Sequence, residues 1–258
     1  MMEHLLRATA KAEARHFWFR GFRAFVTPLV RYAISHTTSN SPPRILDCGC
    51  GTGANMELLG QFGRAYGFDL SDVGLRIAYE AGRTRVARAS VASVPFPSES
   101  FDLVTSFDVL YSLTESAERT AVCEMYRLLK PGAFALVNVA AMNVLTGDHS
   151  VLSRERRRYT RASLGSVLTA CGFTIVRLTY TNASLFGPLV IARAFQRRRG
   201  LVAEHEAQAQ QEITVPAAPI NTVLAALLLL ESLWLRRFDE PFGSSLLCLA
   251  KKPPEART

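Results

Sequence analysis

The chemistry-bearing residues are densest in Ile45-Leu46-Asp47-Cys48-Gly49-Cys50-Gly51-Thr52-Gly53. An apolar run that ends in an acid and passes through three alternate glycines reads as a buried strand turning into a helix. The turn leaves the backbone bare enough for a ligand to lie where a Cβ would collide. The helix that follows adds unpaired N–H groups facing the same space. Asp69 closes the next apolar run, at the distance from the loop where a carboxylate suits ribose hydroxyls. Spacing alone does not name the ligand, because Gly49-Cys50-Gly51-Thr52-Gly53-Ala54 also satisfies the dinucleotide fingerprint G-x-G-x-x-G/A. Two plainer roles stand beside these: Asp47 as a brace for the loop, and Asp69 as a cap for the helix that follows it.

Cys48 and Cys50 flank Gly49 without a second Cys/His pair at zinc spacing, so they read as small buried residues and no metal site is expected. A formal charge of +8 suits nucleic acid, a lipid surface or an anionic substrate. The cations are nearly all arginine, however, a bias that coding composition alone produces. What remains informative is local: the run Arg154, Arg156, Arg157, Arg158 and the cluster Arg193, Arg197, Arg198, Arg199.

The elements that position these groups follow from periodicity. Apolar residues at helical spacing from Leu5 to about Ile34 give one or two N-terminal helices, closed by the polar stretch Ser35 to Pro43. Short strand-like runs then alternate with amphipathic ones. The strands are 44–48, 65–69, 84–89, 101–107 and 133–139; the helices lie near 54–60, 72–81 and 116–129. This is the cadence of a parallel sheet wrapped by helices. A helix at 162–170 and a strand at 173–180 add a sixth unit, with Gly172 ending the helix. Lys130-Pro131-Gly132 reads as a helix stop and turn. Residues 181–243 hold a Gly187–Pro188 turn, a polar helix rich in Gln and Glu, and an apolar helix at 221–235; a last strand falls at 244–252. With 48% hydrophobic and 20% charged residues, the chain has the composition of a folded globular protein.

Several ordered landmarks carry a resemblance. Asp47-x-Gly49-x-Gly51-x-Gly53 is followed by Gly67-Phe68-Asp69-Leu70-Ser71, Val94-Pro95-Phe96-Pro97, Ser100-Phe101-Asp102-Leu103-Val104, Glu124-Met125-x-Arg127-Leu128-Leu129-Lys130-Pro131-Gly132 and Ala170-Cys171-Gly172-Phe173. The chain thus resembles the class I S-adenosylmethionine-dependent methyltransferases, in particular the methyltransferase type 11 or UbiE-like superfamily, across about residues 44–180. The resemblance implies an α/β, Rossmann-like doubly wound sheet of seven strands with the seventh antiparallel. N-terminal helices and a helical insertion before the last strand complete it. The implied division is a helical lid at 1–40, a cofactor-binding core at 41–180, an insertion at 181–243 that serves as lid, substrate element or dimer element, and a last strand and tail at 244–258.

Carried over by position, the resemblance implies that the main chain of Gly49, Cys50, Gly51 and Gly53 lines the methionine and ribose of S-adenosylmethionine, with Asp47 orienting it. Asp69 then takes both ribose hydroxyls and Leu70 packs on the adenine. Ser90 stands where many relatives have an aspartate for the adenine amino group, which shifts that contact to the Val91 backbone. Phe107 and Asp108 fall at the methionine end. Three further segments resemble a bacterial small-molecule subgroup: Glu13-x-x-His16-Phe17-Trp18-Phe19-Arg20, Arg157-Arg158-Tyr159-Thr160 and Pro241-Phe242-Gly243-x-Ser245-Leu246. They imply that Trp18 shields the cofactor, with Arg20 or Arg23 near its carboxylate, unless the aromatic segment only staples a helix. His149 matches a subgroup histidine and becomes the candidate base, since imidazole titrates near working pH. Ser150 and Glu155 depart from the subgroup's pattern beside it. Arg156, Arg157 and Arg158 are either an anion clamp or a solvated loop.

The implied function is methyl transfer to a small molecule, anionic or hydrophobic, with S-adenosyl-L-homocysteine as product. Ser106-Phe107-Asp108-Val109 replaces the Asn/Asp-Pro-Pro-Tyr/Phe motif of amino-group methylation, which argues against nucleic-acid bases as acceptors and leans toward oxygen. A non-catalytic binding protein and a nicotinamide-dependent oxidoreductase are the alternatives. Five cysteines without paired spacing fit a reducing compartment, and the N-terminus is no signal peptide, so a cytoplasmic monomer or homodimer is expected. The greasiest stretch, Val223 to Leu235, is too short to span a bilayer. It packs in the core, roofs a pocket, forms a dimer seam or docks on a lipid surface.

Overall fold

The computed structural model describes residues 2–37, 42–201 and 213–254, with side chains from residue 6 onward. Strands β1 (Arg44–Cys48), β2 (Arg64–Asp69), β3 (Val86–Arg88), β4 (Phe101–Phe107), β5 (Leu129–Ala140), β6 (Thr174–Thr181) and β7 (Ser245–Lys251) form one sheet in the order β3-β2-β1-β4-β5-β7-β6. The first five pair in parallel, and β7 inserts antiparallel between β5 and β6. β4 is buried at all seven positions, as expected of a strand covered on both faces. The expected seven-stranded fold with an antiparallel last strand is therefore the observed one.

The helices are α1 (Met2–Ala12), α2 (Phe17–Ser35), α3 (Ala54–Leu59), α4 (Asp72–Glu80), α5 (Glu115–Leu128), α6 (Asp148–Leu152), α7 (Arg161–Ala170), α8 (Phe186–Arg199) and α9 (Ala218–Trp234). Strand alternation divides the core into two. Leu46, Val104, Val137 and Cys248 pack with α5 and α7 on one face; Ile45, Leu103, Leu136 and Leu249 pack with α2, α3 and α9 on the other. Caps set the helix starts: Thr114 accepts from the Ala117 N–H, and Thr160 and Ser163 form a reciprocal box.

Three expectations change. Gly187–Pro188 lies in the first turn of α8 rather than in a free turn; proline is tolerated there because those N–H groups have no intrahelical partner. Lys130-Pro131-Gly132 does not separate helix from strand, because β5 already begins at Leu129, opposite Phe101, and the irregularity appears as a register shift along the β4 pairing. Cys123 and Cys171 form a disulfide between α5 and the end of α7, although 48 positions apart. The expectation of cysteines without pairing fails here because chain topology, not local spacing, brings them together. The polar Gln/Glu helix expected near 200–212 falls largely outside the described residues.

Candidate active site

The parallel register sets Asp47 beside Gly67 on one side and Thr105 on the other, at the C-terminal edge where the strand order reverses between β1 and β4. Open α/β sheets bind ligands at such a point. Beyond β1 the chain turns back onto β2, with the Gly49 and Cys50 N–H groups both donating to the Phe68 carbonyl at 2.8 and 2.9 Å. Gly49, Gly51 and Gly53 all adopt left-handed φ, at +78°, +53° and +73°. At Gly49 the space is also closed: a Cβ would stand 2.4 Å from Val109 Cγ2.

Asp47 is 1% exposed. Its Oδ1 accepts from the Thr105 hydroxyl at 2.7 Å, whereas Oδ2 is buried with no partner. Burial pushes its carboxyl up to about 7 against the Thr105 hydrogen bond, and the nearby Asp69 charge adds to the rise. Asp69 itself braces the loop: Oδ2 accepts from the Gly51 N–H and Oδ1 from the Ser71 N–H, each at 2.8 Å. It is not the helix cap, since the Ser71 side chain holds that position by accepting from Gly74 N–H. Each carboxylate oxygen keeps a second lone pair. Leu70 is 58% exposed beside it. Ser90 accepts from the Ala92 N–H, and Val91 packs partly against the core. Cys50 is buried, its thiol raised by desolvation, so it stays a neutral, unreactive part of the loop.

Next to this loop a cavity of ≈ 100 Å³ opens over the ends of β4, β5 and β7. Trp18, His149 and Asp108 all face it, as do Tyr111, Glu155, Arg158 and Arg193. Asp108 is open to the cavity but otherwise enclosed by protein. Its left-handed φ of 60° is held by two bonds to Asn138: its N–H donates to the Asn138 carbonyl, and its Oδ1 accepts from Nδ2, each at 3.0 Å. Enclosure and the Glu155 charge push the Asp108 carboxyl up to about 7, opposed by the Asn138 bond and the Arg158 charge. Tyr111 is raised far above the usual phenol range, by burial and then by the Asp108 and Glu155 charges, and remains a neutral donor. Glu155 and Arg158 form a buried ion pair at 2.9 Å, and Arg158 also donates to the Ala141 carbonyl at 3.0 Å. α8 is tied across the loop after β5: Arg197 donates to the Val144 and Thr146 carbonyls, and Arg199 pairs with Asp148 at 2.5 Å.

The arrangement sorts the expected residues. Asp47, Gly49, Cys50, Gly51, Gly53, Asp69 and Leu70 come together at the loop, while Trp18 and His149 reach the adjoining cavity. Phe107 is set apart: strand alternation turns it into the core, edge-on to Phe22 at 5.0 Å between ring centroids. Arg20 is exposed on α2, while Arg23 donates to the Glu13 carbonyl. The arginine run does not act as one clamp. Arg157 is committed to Glu118 and the Leu113 carbonyl, Arg156 is exposed, and Arg158 alone of the three faces the cavity. Sequence reasoning missed Tyr111, and the part played by Glu13, whose carboxylate accepts from Thr52 Oγ1 at 2.8 Å and ties the N-terminal segment to the loop. Glu155 and Arg158 carried one signal, opposite charges three positions apart.

Sheet order, the antiparallel seventh strand and an acid-flanked glycine turn at the β1 edge are the architecture of the class I S-adenosylmethionine-dependent methyltransferase fold. Residues 46–137 match the model of the family described as Methyltransferase domain. The chain is 36% identical over 109 residues to the demethylmenaquinone methyltransferase of Lactiplantibacillus plantarum, covering 38% of this chain and 44% of that protein. It is 31% identical over 117 residues to the ubiquinone/menaquinone biosynthesis C-methyltransferase UbiE of a Marinomonas species, covering 40% and 46%. The chain spans about half the length of the curated relatives it matches. Among solved structures, the methyltransferase in complex with the Haloferax volcanii Trm112 activator shares the fold, with a TM-score of 0.59 at 16% identity, covering 98% of this chain and 96% of that one.

The residues fit the cofactor of this family. An unpartnered buried carboxylate oxygen stands at the loop, the glycine turn presents main chain without Cβ atoms, and an exposed leucine follows the second acid. Among the described residues no group of three His, Cys, Asp or Glu side chains converges as a metal site.

Proposed function

We propose that the protein transfers a methyl group from S-adenosylmethionine to a small molecule, with oxygen as the acceptor atom. The observation that carries this is the orphaned Asp47 Oδ2 at the glycine loop, one strand away from a polar cavity. When bound, the cofactor supplies an activated sulfonium methyl. The main chain of Gly49, Cys50, Gly51 and Gly53 holds its methionine and ribose, and Asp47 accepts from it. Asp69 uses its remaining lone pairs for ribose hydroxyls. Leu70, Ser90 and Val91 bound the adenine, and Trp18 covers the methionine end from the N-terminal segment 1–40. Phe107 contributes to the floor only through packing, and Arg20 contributes charge from outside the cavity.

The acceptor enters the space under α8, in the insertion 181–243. Its proton goes to His149 or to Asp108, whose carboxyl near 7 serves a general base at neutral pH. Leu145 and Leu189 give that space an apolar wall, which suits a hydrophobic acceptor, while Arg193 suits an anionic one. The relatives' names, taken from quinone biosynthesis, favour a ring-bearing hydrophobic acceptor and give a carbon acceptor as second reading. Nucleic acid is not a partner in this reading. Cytoplasmic residence belongs to it, and glutathione there would hold Cys123 and Cys171 as thiols.

The test is calorimetric titration with S-adenosylhomocysteine and with NAD. The expected outcome is binding of the first and not the second, and at least tenfold weaker binding in a folded Asp69→Ala variant. No uptake of S-adenosylhomocysteine refutes the enzymatic reading; unchanged affinity in the variant removes Asp69 from the site.

A further inference from the structure

α9 is apolar on two faces, and only one of them is covered. Asn221, Ala225, Leu228, Glu231 and Leu235 are buried against the rest of the chain. Leu228 lies so close to Gly21 of α2 that a Cβ there would be 2.4 Å from its Cδ1. Asn221 accepts from the Phe17 N–H and donates to the Arg15 carbonyl. Turned away from these contacts are Ile220, Val223, Leu227, Leu230 and Trp234, exposed by 56, 67, 37, 64 and 53%. Their spacing of three and four places them on one line along the helix, about 21 Å long at 1.5 Å per residue. Leu229 and Leu233, 41 and 52% exposed, widen the line into a face.

That face carries no charge. Glu231 is the sole ionisable residue within Ala218–Trp234, and it is turned inward, where it accepts from the Ala183 and Ser184 N–H groups. Immediately beyond the helix stand Arg236 and Arg237, both exposed, with Phe238 51% exposed and its ring 4.4 Å from that of Trp234. An uncharged apolar face flanked by an aromatic pair and two guanidinium groups suits a helix lying in the interface of an anionic bilayer, with the apolar face in the acyl boundary and the rings and guanidinium groups at headgroup level. Among the described residues no helix is long and apolar enough to cross a membrane.

We propose that the exposed face of α9 lies on the surface of an anionic phospholipid bilayer. Charge decides between this occupant and a second copy of the chain. Two copies meeting through this face would each bring a formal charge of +8 and the same arginine pair, whereas an anionic leaflet attracts both arginines and receives the stripe in its acyl boundary.

The test is sedimentation with vesicles of phosphatidylcholine alone and of phosphatidylcholine with phosphatidylglycerol, alongside Trp emission and light scattering after size exclusion. The wild type is expected to sediment with the anionic vesicles, less in high salt, with a blue shift that Trp234→Phe removes. Val223→Glu and Leu230→Glu, both at exposed positions, should keep the wild-type unfolding midpoint and weaken vesicle binding roughly tenfold or more. Arg236→Glu with Arg237→Glu should erase the preference for anionic lipid. Failure to sediment with either vesicle, or binding undiminished in the Glu variants, overturns the proposal. A homodimer that Leu230→Glu dissociates, without vesicle binding, overturns it in favour of self-association.

Discussion

The buried carboxyl of Asp47 makes stability fall as pH rises, and by an amount the structure sets. A carboxyl moved from an ordinary 3.8 to about 7 keeps its proton in the folded chain after the unfolded chain has released its own. Below the unfolded value both states hold the proton, and above about 7 neither does. Between them the folded state binds up to one proton more, so its stability drops by about 1.4 kcal/mol per pH unit. Over roughly three units the loss reaches about 4 kcal/mol, an upper bound because internal relaxation softens the burial cost. Asp47→Asn replaces the protonated acid with a neutral group of the same shape, and its Oδ1 can still accept from Thr105. Urea unfolding of both proteins at pH 5, 6, 7 and 8 is the assay. The stability of the variant relative to wild type should climb with that slope from pH 5 to pH 7 and then level off. Parallel profiles would show that Asp47 ionises normally in the folded state, and the argument from its burial would be wrong. If Asp47 accepts from the cofactor as proposed, its ionisation strengthens that contact, and S-adenosylhomocysteine affinity should rise through the same window in the wild type and not in the variant.

Reducing the Cys123–Cys171 bond, or replacing Cys171 with Ser, opens a loop with a sequence separation of 48; chain entropy puts the loss at about 4 kcal/mol, and thermal unfolding with and without dithiothreitol measures it. An unchanged midpoint would mean that α5 and α7 are held without the bridge. Gly49→Ala should cost about 1–2 kcal/mol from its left-handed φ, more from the clash with Val109 Cγ2 at 2.4 Å, and cofactor binding with it. Adding Val109→Ala should recover the clash and not the backbone strain, read by calorimetry and thermal melts; full recovery would deny the conformational requirement.

The sheet was legible because each strand is short, apolar and punctuated. RILDC and FDLVTSF became β1 and β4 at the expected positions, since burial on both faces leaves few polar residues to blur the pattern. The glycine loop was legible because only glycine serves the conformations it adopts. What sequence could not carry was register. Whether Asp47 meets Thr105, or Asp69 turns to the Gly51 N–H, depends on which residues of distant strands stand abreast. Phe107 shows the cost: one position along β4 decides between cavity and core, because alternate residues face opposite sides. The Cys123–Cys171 bridge depends likewise on two helices lying side by side on one face of the sheet.

Register also joins the two halves of the site. Val109 fills the space above Gly49, and Asp108, its immediate neighbour in the chain, turns into the cavity through a left-handed φ fixed by Asn138 on β5. The backbone of one residue pair therefore supports the glycine loop from one side and presents a carboxylate to the cavity on the other. Displacement of the β4 end moves both together, so substitutions at Asn138 should disturb the Asp108 carboxylate in the cavity and the loop geometry at once, whereas His149, carried by α6 after β5, can be altered without moving the loop.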